Sequence, residues 1–133
     1  MPISTKNLTP VHLSFAVLYP IHEAIAEIQV KKDIELCLQC VDEFHEALRK
    51  SFAGQVGVLV NRVHPYSYDS NAQFKITTSP QIKAIGIVHH NTTSWVASHT
   101  MQELPPNRVR NMRNFWQRDD AIEWLLGEMQ QKG

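Results

Sequence analysis

Residues 55–72 read QVGVLVNRVHPYSYDSNA, and the fold turns on what this stretch becomes. VGVLV (56–60) is a continuous apolar run bounded by turn signals, with Gly54 before it and a polar loop after it. A run of this kind predicts a strand buried on both faces, as in parallel sheets, where a half-exposed antiparallel strand would alternate. The pattern returns in IKAIGIV (82–88), just after Pro80. The chain therefore carries two candidate central strands, with a loop of hydroxyls, a histidine and an aspartate leaving the first of them.

Upstream, Val11, Leu13, Phe15, Val17 and Tyr19 alternate with His12, Ser14, Ala16 and Leu18, the period of a half-buried strand that Pro20 is expected to end. Ala24, Ala26, Ile28 and Val30 alternate with Glu23, Ile25, Glu27 and Gln29, and the short break between the two runs predicts an antiparallel hairpin. Over 32–52 the period changes: Ile34, Cys37, Leu38, Val41, Phe44, Leu48 and Phe52 follow helical spacing. Asp33 falls in the first turn of that helix and Arg49 and Lys50 in the last, complementing its dipole. Leu36, Cys40 and Ala47 widen its apolar arc, so that it needs cover on two sides.

Downstream, a weak helical pattern spans 69–76, and NTTSWVASHTMQEL (91–104) opens on capping residues and stops at Pro105-Pro106. RVRNMRNFW (108–116) is a poorer strand. DDAIEWLLGEM (119–129) has Asp119 or Asp120 as N-cap and Ala121, Ile122, Leu125, Leu126 and Met129 on one stripe. The order β-β-α-β-α-β-α-β-α predicts a single α/β domain over 1–133, with four helices, an N-terminal hairpin and a mostly parallel sheet wound by right-handed crossovers. If strands adjacent in sequence are adjacent in space, most helices fall on one face. The other face then needs a second copy of the chain, or the hairpin, to cover it.

Thirteen basic residues balance thirteen acidic ones, which argues against nucleic acid or anionic lipid as a partner. The longest apolar runs, FAVLY and VGVLV, are too short to cross a bilayer. The polar start MPISTKNLTP has no apolar core of a secretion signal, and with only two cysteines the expected compartment is a reducing cytoplasm.

Few constellations carry chemistry. Cys37 and Cys40 form a CxxC, but the pattern sets both inside the helix among Leu36, Leu38 and Val41, where thiols serve as packing. His64, His89 and His90 each follow a predicted parallel strand, where α/β sheets place ligands, yet consecutive histidines on an extended chain face opposite ways. Arg108, Arg110, Arg113 and Arg118 around Phe115 and Trp116 read as a charged edge strand. Five scattered glycines form neither GxGxxG nor a P-loop, so no nucleotide cofactor is expected, and no metal site is complete. Ser67, Ser70, His64 and Asp69 hold the letters of a hydrolase triad, within too short a span to adopt its geometry.

From about Val11 to Met129, the order of elements and the 61–72 loop resemble the SpoIIAA-like fold, the STAS domains of bacterial anti-sigma factor antagonists. In those proteins the loop after the central strand carries Asp-Ser-Ser-Gly or a variant, whose serine is phosphorylated by a partner kinase. Asp69 and Ser70 stand at the matching place, with Tyr68 where the family has an apolar residue and Asn71 and Ala72 where it has a small residue and glycine. Val60 and Asn61 stand where the antagonists carry an aspartate. Asn61-Arg62, Tyr66-Ser67 and FWQRDDAIEWLL (115–126) are more similar to small stand-alone bacterial members of this fold.

The resemblance implies a right-handed βα superhelix and a regulatory module without enzymatic activity. Asn61, Arg62, His64, Tyr66, Ser67, Tyr68, Asp69 and Ser70 are then expected to form a docking surface for a protein partner, in a chain that pairs as a homodimer. Ser70, or else Ser67, would be a phospho-acceptor at a helix start, where backbone N–H groups and the dipole hold phosphate. A plain strand-to-helix turn capped by Asp69 is the competing account of the loop. Two other functions stand beside the first. One is an apolar-ligand carrier of the fold-related CRAL-TRIO kind, with Trp95, Phe74 and Tyr66 lining its pocket. The other is a hydrolase or metal enzyme around His64 and His89.

Overall fold

The computed structural model describes residues 9–64, the backbone at 67–68, Ala72, Lys75, and residues 79–96 and 111–130. Its elements are β1 (Val11–His12), β2 (Ala16–His22), β3 (Ile25–Val30), β4 (Glu35–Leu36), α1 (Leu38–Ser51), β5 (Val56–Asn61), β6 (Ser67–Tyr68), β7 (Ile82–Val88), β8 (Met112–Phe115) and α2 (Arg118–Gln130). Residues 92–96 form a helical segment before α2. Six strands make one sheet in the order β1-β2-β3-β5-β7-β8, and β4 pairs with β6 in a second, two-stranded one. The β1/β2 and β2/β3 pairs are antiparallel, and β3/β5, β5/β7 and β7/β8 are parallel. This is the mixed, mostly parallel α/β sheet with an N-terminal hairpin that the alternating pattern predicts.

The alternation of side chains along each strand divides the core in two. On one face Leu18, Ile28, Val58 and Ile85 meet Phe44, Leu48 and Phe52 of α1. The other face joins Ile25, Leu59, Ala84 and Val88 to Ala121 and Leu125 of α2. Helices therefore lie on both faces, and α2 supplies over β5 and β7 the cover that a second copy of the chain, or the hairpin, was expected to give. At the junction, a Cβ on Gly57 would come within 3.1 Å of Leu125 Cδ2, whereas one on Gly86 would stay 3.5 Å from its nearest neighbours. Gly86→Ala is expected to be neutral or to stabilise by up to about 1 kcal/mol through a less flexible unfolded chain. Gly57→Ala is expected to cost about 1 kcal/mol, because the fully buried Leu125 must shift by a few tenths of an ångström to admit the methyl. Urea midpoints of the two variants give the order directly.

Local expectations differ from the structure in three places. Pro20 lies within β2, where β1 covers only Val17 and Leu18 and a bulge follows at Pro20/His22, the setting in which a strand tolerates proline. Val11–Tyr19 is two strands, because the chain turns back at 13–15. The helix expected from residue 32 begins at Leu38: Asp33 adopts φ 61°, a left-handed conformation aspartate tolerates, and Glu35–Leu36 pair with β6. Long-range pairing there overrides local helical spacing. At the other end, the Gln81 side-chain amide reaches the carbonyls of Leu48, Phe52 and Gly54 at 3.0, 3.2 and 3.1 Å, closing α1 from a different part of the chain. Of the helix expected over 69–76, Ala72 and Lys75 are described, and both are helical.

Candidate functional site

Glu27 occupies the middle of β3, between Tyr19 of β2 and Leu59 of β5 in the sheet register. Its side chain points to the α2 face and is 2% exposed. A carboxylate there is stable only if its oxygens are satisfied, and they are. Oε1 accepts hydrogen bonds from Arg118 Nε at 2.9 Å and Nη2 at 2.6 Å. Oε2 accepts from Asn61 Nδ2 at 2.9 Å and from Gln29 Nε2 at 3.1 Å. Asn61 Oδ1 in turn accepts from His90 Nε2 at 2.7 Å. A continuous chain thus runs from the loop after β7, through the end of β5 and the centre of β3, to the first residue of α2.

Burial is the largest single influence on Glu27 and pushes its carboxyl up, but the hydrogen bonds from Arg118, Asn61 and Gln29 and the guanidinium charge together outweigh it, leaving the pKa lowered. Arg118 is raised in return, chiefly by its hydrogen bond to Glu27. An ionised carboxylate whose two oxygens already accept four hydrogen bonds has no proton to give and little capacity to take one. The cluster positions elements; it is poorly suited to transfer protons.

Beside it, α2 leaves the β2–β3 part of this face uncovered. The result is an open cleft of about 410 Å3 lined by Tyr19, Ile21, Glu27, Gln29, Asn61 and Arg118. Its size falls in the lower range of small-ligand sites, with the ion pair as part of the wall.

His89, the residue before His90, turns to the α1 side of the sheet. It is 1% exposed. Its Nε2 donates to Asn114 Oδ1 at 2.8 Å, and its Nδ1 lies 2.7 Å from the Ser94 hydroxyl. Asn91 Oδ1 accepts the Ser94 backbone N–H at 2.8 Å and so caps the helical segment, as the capping pattern predicts. Trp95 meets the His89 ring edge-on at 5.4 Å and stacks on Trp116 at 4.5 Å and 7°.

Of the residues expected to form the docking loop, Asn61 is buried in the network and Arg62 is half-buried, its backbone N–H donating to Val88 O. His64 is exposed, whereas His89 is enclosed. Ser67 and Tyr68 form β6 and tie the loop to Glu35 and Leu36. Tyr66, Asp69, Ser70 and Phe74 lie outside the described residues, as do Arg108 and Arg110. Among the described residues, no three His, Cys, Asp or Glu side chains group to hold a metal, and no helix is long and apolar enough to cross a membrane.

No protein-family model matches the chain, and no curated protein does. The site therefore rests on its own geometry.

The sequence reading misses Glu27, Gln29 and Arg118. A usable signal was present: Ile25-Ala26-Glu27-Ile28 has apolar side chains on both faces, so its carboxylate is enclosed with them and demands a cation.

Proposed function

We propose that the protein is a non-enzymatic interaction module that docks a protein partner at the carboxyl rim of its parallel strands, as the SpoIIAA-like domains it resembles do. One observation carries this reading. Among the described residues, the exposed large hydrophobics are Leu38, Val63, Val96 and Trp116, at 40%, 46%, 56% and 48%. Val63, Val96 and Trp116 come after β5, β7 and β8 in the chain, and Leu38 comes after β4, which pairs with the strand that follows β5. Single exposed apolar residues are ordinary, but three that come after successive parallel strands support an interaction surface on that side. Trp116 backed by Trp95 offers the rigid aromatic area that interfaces favour. The Glu27 network supports the rim from below, holding Asn61 where the 61–72 loop departs. Ser70 is the phospho-acceptor of this reading, its phosphate adding charge beside the docked partner.

The test is quantitative capture from the native cell, comparing wild type with Trp116→Ser, Val63→Asp and, away from the rim, Lys50→Glu. A partner retained by wild type and Lys50→Glu and lost by both rim variants is expected, and Ser70→Asp should release it too. Trp116→Ser is expected to cost about 1 kcal/mol of stability from the lost stack, so melting curves separate lost binding from lost folding. Capture that is equal in all variants sinks the rim. The open cleft beside Glu27 would then favour a small-ligand carrier, at a place other than the Trp95, Phe74 and Tyr66 pocket that the sequence suggests.

A further inference from the structure

Cys40 is half-buried against the α1-side core, as the packing expectation has it, but Cys37 is not part of that core. Because α1 begins at Leu38, Cys37 is its N-cap, with extended backbone at φ −111° and ψ 175°, and Cys40 sits one turn in. Both thiols are partly exposed, and their sulfurs lie 3.3 Å apart. These two are the chain's only cysteines. A spacing of three residues in a first helical turn brings the Cα atoms within the roughly 4.4–6.8 Å that a disulfide spans. Closing the sulfurs to the roughly 2.05 Å of an S–S bond needs side-chain rotation and no unfolding of α1.

The two thiols are also unequal. The Cys40 backbone N–H and thiol hold Cys37 below the usual thiol range, while burial pushes Cys40 up, aided by the neighbouring Cys37 and Glu43. An outer sulfur at a helix N-terminus with a lowered pKa, beside an inner one with a raised pKa, is the division of labour that thiol–disulfide exchange requires.

We propose that Cys37 and Cys40 form a redox-active dithiol that reduces disulfide substrates, independent of the docking function. The Cys37 thiolate attacks one sulfur of a disulfide RSSR, forming a Cys37–SR mixed disulfide and expelling RS⁻. Cys40 gives its proton to solvent or to the departing thiolate and attacks Cys37 Sγ, which forms the Cys37–Cys40 bond and expels the second RS⁻. The chain loses two electrons and two protons, and RSSR becomes two RSH.

The test uses the native full chain with excess oxidised glutathione near neutral pH, followed by intact mass and thiol titration. Wild type is expected to lose both free thiols with a mass decrease of about 2 Da, reversed by dithiothreitol, because exchange ends in an intramolecular disulfide. Cys40→Ser is expected to accumulate the glutathione adduct at Cys37. Cys37→Ser is expected to react at least ~10-fold more slowly, since the sulfur at the helix N-cap is gone and the remaining thiol packs against the core. Folding of each variant is checked by its melting curve. Wild type that keeps both thiols, or equal rates for the two single variants, overturns the proposal.

Discussion

Arg118→Met is expected to destabilise the fold by about 2–3 kcal/mol at pH 7 and to reverse the sign of its response to acid. The variant leaves Glu27, 2% exposed, with the amides of Asn61 and Gln29 but no cation. Breaking an enclosed pair in this way costs roughly 3–5 kcal/mol. The lower figure reflects the Arg118 side chain, which is 44% exposed at the cleft and so partly screened. In wild type the Glu27 pKa lies below its ordinary 4.5, so its contribution is complete above that value and is lost as pH falls through the folded-state pKa. In the variant, burial, the largest influence, is opposed only by the Asn61 and Gln29 amides, and the carboxyl is expected to rise above its ordinary value. Stability then falls as pH rises through that range, and the penalty relative to wild type shrinks in acid. Urea denaturation at several pH values between 4 and 7 measures both effects. A penalty that stays constant across that range would falsify the ion-pair account. The double variant Glu27→Leu/Arg118→Met removes both charges and is expected to recover most of the loss.

Leu125→Ala is expected to cost about 3 kcal/mol, in the middle of the roughly 2–5 kcal/mol seen for buried leucines. Leu125 is fully enclosed, and its side chain fills the space that Gly57 and Gly86 leave open on β5 and β7. Its neighbours on α2, Ile122, Trp124 and Leu126, are only partly buried, so no other side chain on the helix can take over its place. Neither central strand can collapse onto the vacated volume, because both are held in register on two sides. Hydrogen exchange gives a second readout. Amides of α2 should lose protection first in Leu125→Ala, while those of α1, which packs on the opposite face, retain theirs. Loss of α1 and α2 protection together would mean that the two cores are one cooperative unit. Because α2 begins with Arg118, loosening this helix also loosens the Glu27 network, and the effects of Leu125→Ala and Arg118→Met should be less than additive.

The contrast between Glu27 and Asn61 explains how much of the site was legible. Asn61 ends a run of continuous hydrophobicity, so its place at a strand's carboxyl end follows from VGVLV alone. Glu27 sits in a run whose alternation suggests one wet face, with Ile25 the local sign that this face is covered; that α2, about ninety residues away, is the cover and brings Arg118 has no local sign. Pairing across such a separation leaves no periodic trace. The cysteines make the same point on a smaller scale. Helical spacing runs smoothly through Ile34, Cys37 and Val41, and only the β4–β6 ladder, made with the loop after β5, moves the helix start to Leu38 and the first thiol to its N-cap.

By itself, the sequence determined which segments are strands and helices over most of the described chain, the parallel character of β5 and β7, and the apolar stripe of α2, because these depend on the period of side chains along one backbone. The tertiary structure alone decided that α2 would cover the second face, that Glu27 would meet Arg118, and that the two thiols would lie at a helix mouth. Each of these depends on which distant surfaces bury each other, and burial, unlike periodicity, is a property of the assembled chain.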